Sequence, residues 1–187
     1  LQFANHPMIN NRNPSPVIRN AVATDIAPIT EIYAKAVKFG KASFEWQAPD
    51  ETEMNQRFHL LVDNGFPYVV AMIDDAFAGY AYAGPHRHRI GYQWTVENAV
   101  YVNPKFQKYG LGSLLLERII QECTDKNFRQ MIAVIGDSAN ISSIRLHEKL
   151  GFTHVGTLAG VGRKHEKWLD TVIMQRQLGT GSSEPPT

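Results

Sequence analysis

Apolar residues recur at helical spacing from position 26. Ile26, Ile29, Ile32, Tyr33, Ala36 and Val37 line one face of a predicted helix that Thr24 caps and that runs to about Phe39. Pro28 falls in its first turns, where proline is tolerated. Residues 17–21 ahead of it read as a strand. A second helix is predicted over 51–63, closed by Asn64-Gly65. Residues 68–73 and 76–83 are apolar runs around Asp74-Asp75, the pattern of a hairpin. Residues 94–102 form a further strand. The helix after it carries a buried stripe of Leu111, Leu114, Leu115, Ile119, Ile120 and Cys123. A short β run covers 131–135, a helix covers 140–150 and stops at Gly151, and final strands cover 153–158 and 170–177. Hairpins first and a βαβα segment after them predict an α+β fold. Its central sheet is mixed and mostly antiparallel, with helices on its faces.

Composition narrows this picture. The chain has 187 residues, 43% hydrophobic and 20% charged, enough for one domain with a real core. Residues 16–178 form that domain. Residues 1–15, rich in Asn and Pro, and residues 179–187 are expected to be flexible ends. The formal net charge of +1 provides no global basic field, so no nucleic-acid partner is expected. No apolar run approaches the roughly 18 residues that span a bilayer, and no signal-peptide pattern opens the chain. No membrane association is expected, and the location is expected to be cytoplasmic. The single cysteine, Cys123, excludes an intramolecular disulfide and a cysteine-based zinc site, and its place on an apolar helix face suits core packing.

The chemistry concentrates at Gln107-Lys108-Tyr109-Gly110-Leu111-Gly112. The segment follows an apolar strand and opens a long amphipathic helix. First-turn N–H groups have no partner within a helix, and the peptide dipoles put roughly +0.5 of a charge there. Glycines at 110 and 112 let a phosphate reach those amides. The P-loop pattern does not fit, because Ser113-Leu114 follows Gly112. The dinucleotide fingerprint does not fit either, because position 115 is Leu.

The remaining pattern, Q-x-x-G-x-G, resembles the acyl-coenzyme A loop of the GNAT acetyltransferase superfamily. Three further stretches resemble its phosphinothricin acetyltransferase group. They are Trp94 to Val102, containing Thr-Val-Glu; Asn140 to Phe152; and Val161 to Asp170. The resemblance spans about residues 17–178. It implies the GNAT-type sheet and acetyl transfer from acetyl-CoA, as co-substrate and without a metal, to the primary amine of a small amino-acid-like acceptor. It implies that Val100, Tyr101 and Val102 line the thioester and pantetheine arm. Gln107, Lys108, Tyr109, Gly110, Leu111, Gly112 and Ser113 would wrap the diphosphate, and Asn140 would face the cofactor. Asn140 is equally suited to an N-cap. Because members of this group commonly pair, the resemblance also implies a homodimer, with residues such as Arg163, Lys164 and His165 near a partner's site.

The acceptor arrives as an ammonium and must lose a proton. Glu97 stands at the head of an apolar strand segment, where it reads as an edge-strand acid on its own and as the general base through the resemblance. A carboxylate near its ordinary pKa of about 4.3 is a weak base for this task, so burial or a water relay is expected to help it. Backbone N–H groups around 100–102 are donors for an oxyanion. The resemblance implies that His147 stands near the leaving sulfur as an acid or proton relay; on its own it reads as a helix-face histidine bonded to a carbonyl. Arg87 and Arg89, if extended, project to one side and offer guanidinium forks to an acidic acceptor, with Tyr92 nearby. The same segment also suits a solvated basic loop. Phe44, within Ser43-Phe44-Glu45, is expected to wall the amine pocket. His86 and His88 alone do not make a metal site. A different small amine as acceptor, or a regulatory acetyl-CoA-binding module without turnover, remains open. Two arginines argue against a polycation, and Glu97 argues against the module.

Overall fold

The computed structural model describes residues 15–107 and 109–186. The elements run β1 (Val17–Asn20), α1 (Ile26–Phe39), α2 (Glu51–Val62), β2 (Tyr68–Ile73), β3 (Ala76–Pro85), β4 (Thr95–Val102), α3 (Leu111–Asp125), β5 (Gln130–Gly136), α4 (Ile141–Lys149), β6 (Thr153–Lys164) and β7 (Lys167–Gln177). The strands form one seven-stranded sheet in the order β1-β2-β3-β4-β5-β7-β6. Every pairing is antiparallel except β4 with β5. This is the α+β arrangement that the hydrophobic pattern predicts.

Local chemistry explains most of the boundaries. Asp74 and Asp75 turn the β2–β3 hairpin with positive φ at both positions, as a two-residue turn between twisted strands requires. The Asp50 side chain accepts the Glu53 N–H at 2.8 Å and so caps α2. The cap expected of Thr24 is not made. Thr24 lies inside a 3-10 turn, Ala23–Asp25, that precedes α1. The buried Asp25 carboxylate organises this entry, accepting two hydrogen bonds from Arg19 at 2.7 Å and one from the Val22 N–H at 2.9 Å.

The last hairpin is longer than its sequence pattern predicts. β6 runs on to Lys164 and β7 starts at Lys167, so strands fill most of 159–169. β6 is an edge strand, exposed over most of its length, and its charged and glycine residues hide the period-2 signal. The β6–β7 register also slips between Leu158 and Gly162. After β7, Leu178 is buried, and Arg129 donates to Thr180 Oγ1 and to the Pro185 carbonyl.

The sheet separates two apolar layers. On one face Leu111, Leu115, Leu116, Ile119 and Cys123 of α3 pack on Val69, Ala81, Val96 and Met131. On the other, α1 and α2 bring Ile29, Tyr33, Met54 and Phe58 onto Tyr68, Val70 and Tyr80. Side chains alternate between faces along a strand. In β4, Val100 and Val102 therefore join the α3 layer, while Tyr101 joins the α1–α2 layer with Glu97 on the same side.

Candidate active site

The cleft begins where two parallel strands separate. β4 and β5 pair only from Thr95↔Gln130 to Asn98↔Ala133. Beyond Asn98 both strands continue, β4 to Val102 and β5 to Gly136, without pairing to each other. The opening leaves a cleft of about 550 Å³. Val100, Tyr101, Val102, Gln107, Gly110, Leu111, Gly112, Ser113, Asn140 and His147 all line it. Ten of the residues singled out in the sequence thus come together on one surface. Tyr109 is exposed and packs edge-on to Phe106 instead of lining the cleft. Lys108 lies outside the described residues.

The glycine turn has the geometry expected of an anion cradle. Gly110 is the residue before α3, with φ 71°, in the left-handed region that glycine occupies without strain. No side chain caps the helix; the Ser113 N–H is taken by the Gly110 carbonyl at 3.0 Å, and among the described residues the Leu111 and Gly112 N–H groups at the cleft wall have no partner. Asn140 both caps α4, accepting the Ser143 N–H at 3.3 Å, and lines the cleft.

His147 is buried, 4% exposed, at the inner end of the cleft. Its Nδ1 donates to the Ser143 carbonyl at 2.8 Å. Its Nε2 lies 3.0 Å from Asn98 Oδ1, and Asn98 uses its own Nδ2 to donate to the Ile132 carbonyl at 3.2 Å. Two oxygens therefore favour a doubly protonated ring, while burial acts the other way and holds its pKa below the ordinary histidine value. The outcome is an imidazole that surrenders a proton readily. At acid pH the unfolded chain binds a proton that the buried ring resists, so this site weakens the fold as pH falls through about 6.5. The melting temperature of a His147→Gln variant is expected to fall less than that of the wild type between about pH 8 and pH 5.

Glu97 faces the other side of the sheet. His86 Nδ1 donates to its Oε1 at 2.6 Å, and among the described residues Oε2 has no protein partner. One carboxylate oxygen is thus fixed and the other is free. His86 is the unforeseen partner here; nothing in the sequence ties it to Glu97, 11 residues on. Among the described residues, no trio of His, Cys, Asp or Glu is placed to hold a metal ion.

Arg87 and Arg89 do not lie on an extended segment. They occupy an exposed bend that leads into a 3-10 turn, Ile90–Tyr92, and neither forms an ion pair among the described residues. Tyr92 stands edge-on to His86 at 5.7 Å. Phe44 packs against β6, where a Cβ at Gly162 would fall 2.2 Å from its ring. Its loop is held by Tyr33 and Arg57, which carry no sequence signal for this role, and by Lys164, expected near a partner's site but buried against the loop. The buried Lys164 amine donates to the Ser43 carbonyl at 2.6 Å. The Tyr33 hydroxyl donates to Glu45 at 2.9 Å, and Arg57 donates to Glu45 at 2.8 Å. These partners come from three separate elements, β6, α1 and α2, so no local spacing marks them.

Comparison with known proteins places this geometry in context. The model of the acetyltransferase (GNAT) family matches residues 29–152. Phosphinothricin N-acetyltransferase of Alcaligenes faecalis is 44% identical over 162 residues, covering 87% of this chain and 82% of that protein. The L-methionine sulfoximine/L-methionine sulfone acetyltransferase of Salmonella typhimurium is 39% identical over 161 residues, covering 86% and 94%. The crystal structure of a GNAT superfamily phosphinothricin acetyltransferase from Sinorhizobium meliloti in complex with acetyl-CoA is 46% identical. It superimposes with a TM-score of 0.90 over 92% of this chain and 93% of that one.

Proposed function

The chain belongs to the acetyltransferase (GNAT) family, and from that premise we propose that it moves an acetyl group from acetyl-CoA to the primary amine of a small amino-acid-like acceptor. The observation that carries this reading is the split between β4 and β5, with a glycine-opened helix start at one end and His147 at the other. Acceptors of the phosphinothricin and methionine sulfoximine or sulfone type follow from the relatives.

In the proposed reaction the diphosphate rests on the amides of the α3 N-terminus, and the thioester lies against β4 beyond Asn98. The free Oε2 of Glu97 takes the ammonium proton, directly or through a water. The amine attacks the thioester carbon. Backbone N–H groups of 100–102 hold the resulting oxyanion. Collapse of the tetrahedral species expels the thiolate and leaves a protonated amide nitrogen, which loses its second proton to solvent; the thiolate takes a proton from Nε2 of the doubly protonated His147 ring, which recovers one from solvent. Asn98 sets the orientation of that ring. The base and the acid act on opposite faces of the sheet, so the incoming amine and the departing sulfur do not compete for one group. Arg87, Arg89 and Tyr92 belong to the loop that joins β3 to β4, and we assign them to the acceptor's carboxylate and Phe44 to a wall of the amine pocket.

A thiol-release assay with acetyl-CoA and a panel of amino acids tests this. Turnover is expected on acidic or oxygen-bearing amino acids and not on polyamines. Replacing Arg87 and Arg89 together by Ala should raise the acceptor KM about tenfold or more. No turnover on any amine would favour the regulatory module.

We also infer a homodimer. β6 is a sheet edge that exposes Val155, Leu158 and Val161, an apolar row that a second copy would cover. Sedimentation equilibrium should return twice the chain mass, and Leu158→Glu should shift it toward one. The inferred cytoplasmic location is supported by the lone Cys123. It is buried and unpaired, with its thiol pushed up to about 12 by burial.

A further inference from the structure

On the α1–α2 face, next to the proposed acceptor site, five tyrosines form one aromatic body. Tyr80 stacks on Tyr101 at 5.0 Å between ring centres and on Tyr68 at 5.9 Å, and Tyr68 stacks on Tyr82 at 5.0 Å. Tyr33 meets Tyr101 edge-on at 5.3 Å. Tyr80 is fully buried, yet among the described residues its hydroxyl has no hydrogen-bond partner. A buried hydroxyl left unpaired is costly, and such groups in native folds call for an explanation. A cavity of about 40 Å³ adjoins Tyr80, bounded by Tyr33, Tyr68, Tyr82, Met54, Leu61 and Arg57. About 10–15 Å³ of such space is enough for one water, so the cavity admits more than a water and suits the tip of a side chain.

The walls specify what such a tip must be. Tyr33 already donates to Glu45, and Arg57 donates to Glu45 and Glu53. The uncommitted buried group is Tyr80 Oη, a donor that seeks an oxygen. Met54, Leu61 and the tyrosine rings suit an aliphatic shaft. Tyr82 connects this cavity to the reaction site, since it sits on β3 opposite Ala99, two residues from the Gly84↔Glu97 pair, on the same face as Glu97. Tyr101 borders both the cleft and Tyr80.

Resting on the acetyl-transfer reading above, we propose that this cavity is the acceptor's side-chain subsite and that Tyr80 selects acceptors whose side chain ends in a hydrogen-bond-accepting oxygen. An aliphatic shaft lies along Met54 and Leu61, and the terminal oxygen receives the Tyr80 proton. Tyr80 therefore determines specificity and takes no part in the proton transfers.

The test is binding, which does not require turnover. L-methionine sulfone and L-norleucine are titrated calorimetrically into the wild type and into Tyr80→Phe, each saturated with coenzyme A. The sulfone should bind the wild type more tightly than norleucine, and Tyr80→Phe should weaken the sulfone roughly tenfold and norleucine less than about twofold. The melting temperature of free Tyr80→Phe should equal or exceed that of the wild type, because the lost hydroxyl had no partner. Two results would overturn the proposal: equal losses for both ligands, or a lower melting temperature with unchanged affinities, which is the mark of a resident water. If sulfone discrimination holds but no amine is acetylated, only the catalytic reading fails.

Discussion

Glu97→Gln is expected to lower kcat/KM by about 10²- to 10⁴-fold while changing the affinity for acetyl-CoA by less than about twofold. The substitution is sharp because it preserves the local geometry. The amide oxygen still accepts from His86 Nδ1, as Oε1 does at 2.6 Å. What disappears is the free oxygen that can take a proton. A structural role for Glu97 predicts the opposite pattern: a lower melting temperature and little change in rate. Because the acceptor must be deprotonated before attack, part of the lost rate should return as pH is raised toward the amine's own pKa, where free amine accumulates. A variant that keeps wild-type turnover at neutral pH would remove Glu97 from the reaction.

Gly112→Val should raise the KM for acetyl-CoA about ten- to a hundredfold and leave kcat at saturation nearly unchanged. A Cβ at this position comes 3.2 Å from Leu146 Cδ2, the tip of a flexible side chain that can shift. The free protein should therefore fold, helped by valine's better helix propensity. The branched carbons stand in the cleft where the first-turn amides would otherwise meet the diphosphate. Losing the equivalent of one charge-assisted hydrogen bond, at about 1.5–3 kcal/mol, gives this range. Unchanged affinity would move the diphosphate away from the α3 turn. Gly110 makes a control of a different kind. A Cβ there meets nothing, and its φ of 71° makes the cost of substitution conformational.

The residues expected to hold the cofactor meet on one cleft because they are local in sequence. Gln107 to Ser113 is one continuous turn and helix start, although glycines there suit a plain N-cap turn as well. Val100 to Val102 is one strand, and Asn140 and His147 share one helix. The acceptor half was less legible because it is assembled across the fold. Lys164 reaches Ser43 over 121 residues, and Arg57 reaches Glu45 from a different helix. Arg87 and Arg89 alternate as if in a strand, but the chain bends after Pro85 and enters a 3-10 turn. Asn98 resembled any polar strand residue until the turn of α4 brought His147 within 3.0 Å. Periodicity failed at β6 for a related reason. An edge strand has one side without a neighbour, and its residues need not alternate.

The short β4–β5 ladder has a mechanical consequence. Only four residue pairs, ending at Asn98↔Ala133, rivet the β1–β4 half of the sheet to the β5–β7 half. A thioester seated in the gap lends its own amides as rungs where the protein has none. Occupancy then becomes a form of cohesion: at about a hundred times Kd, the nucleotide would add some 2.7 kcal/mol to the fold, and its removal would leave the seam loose.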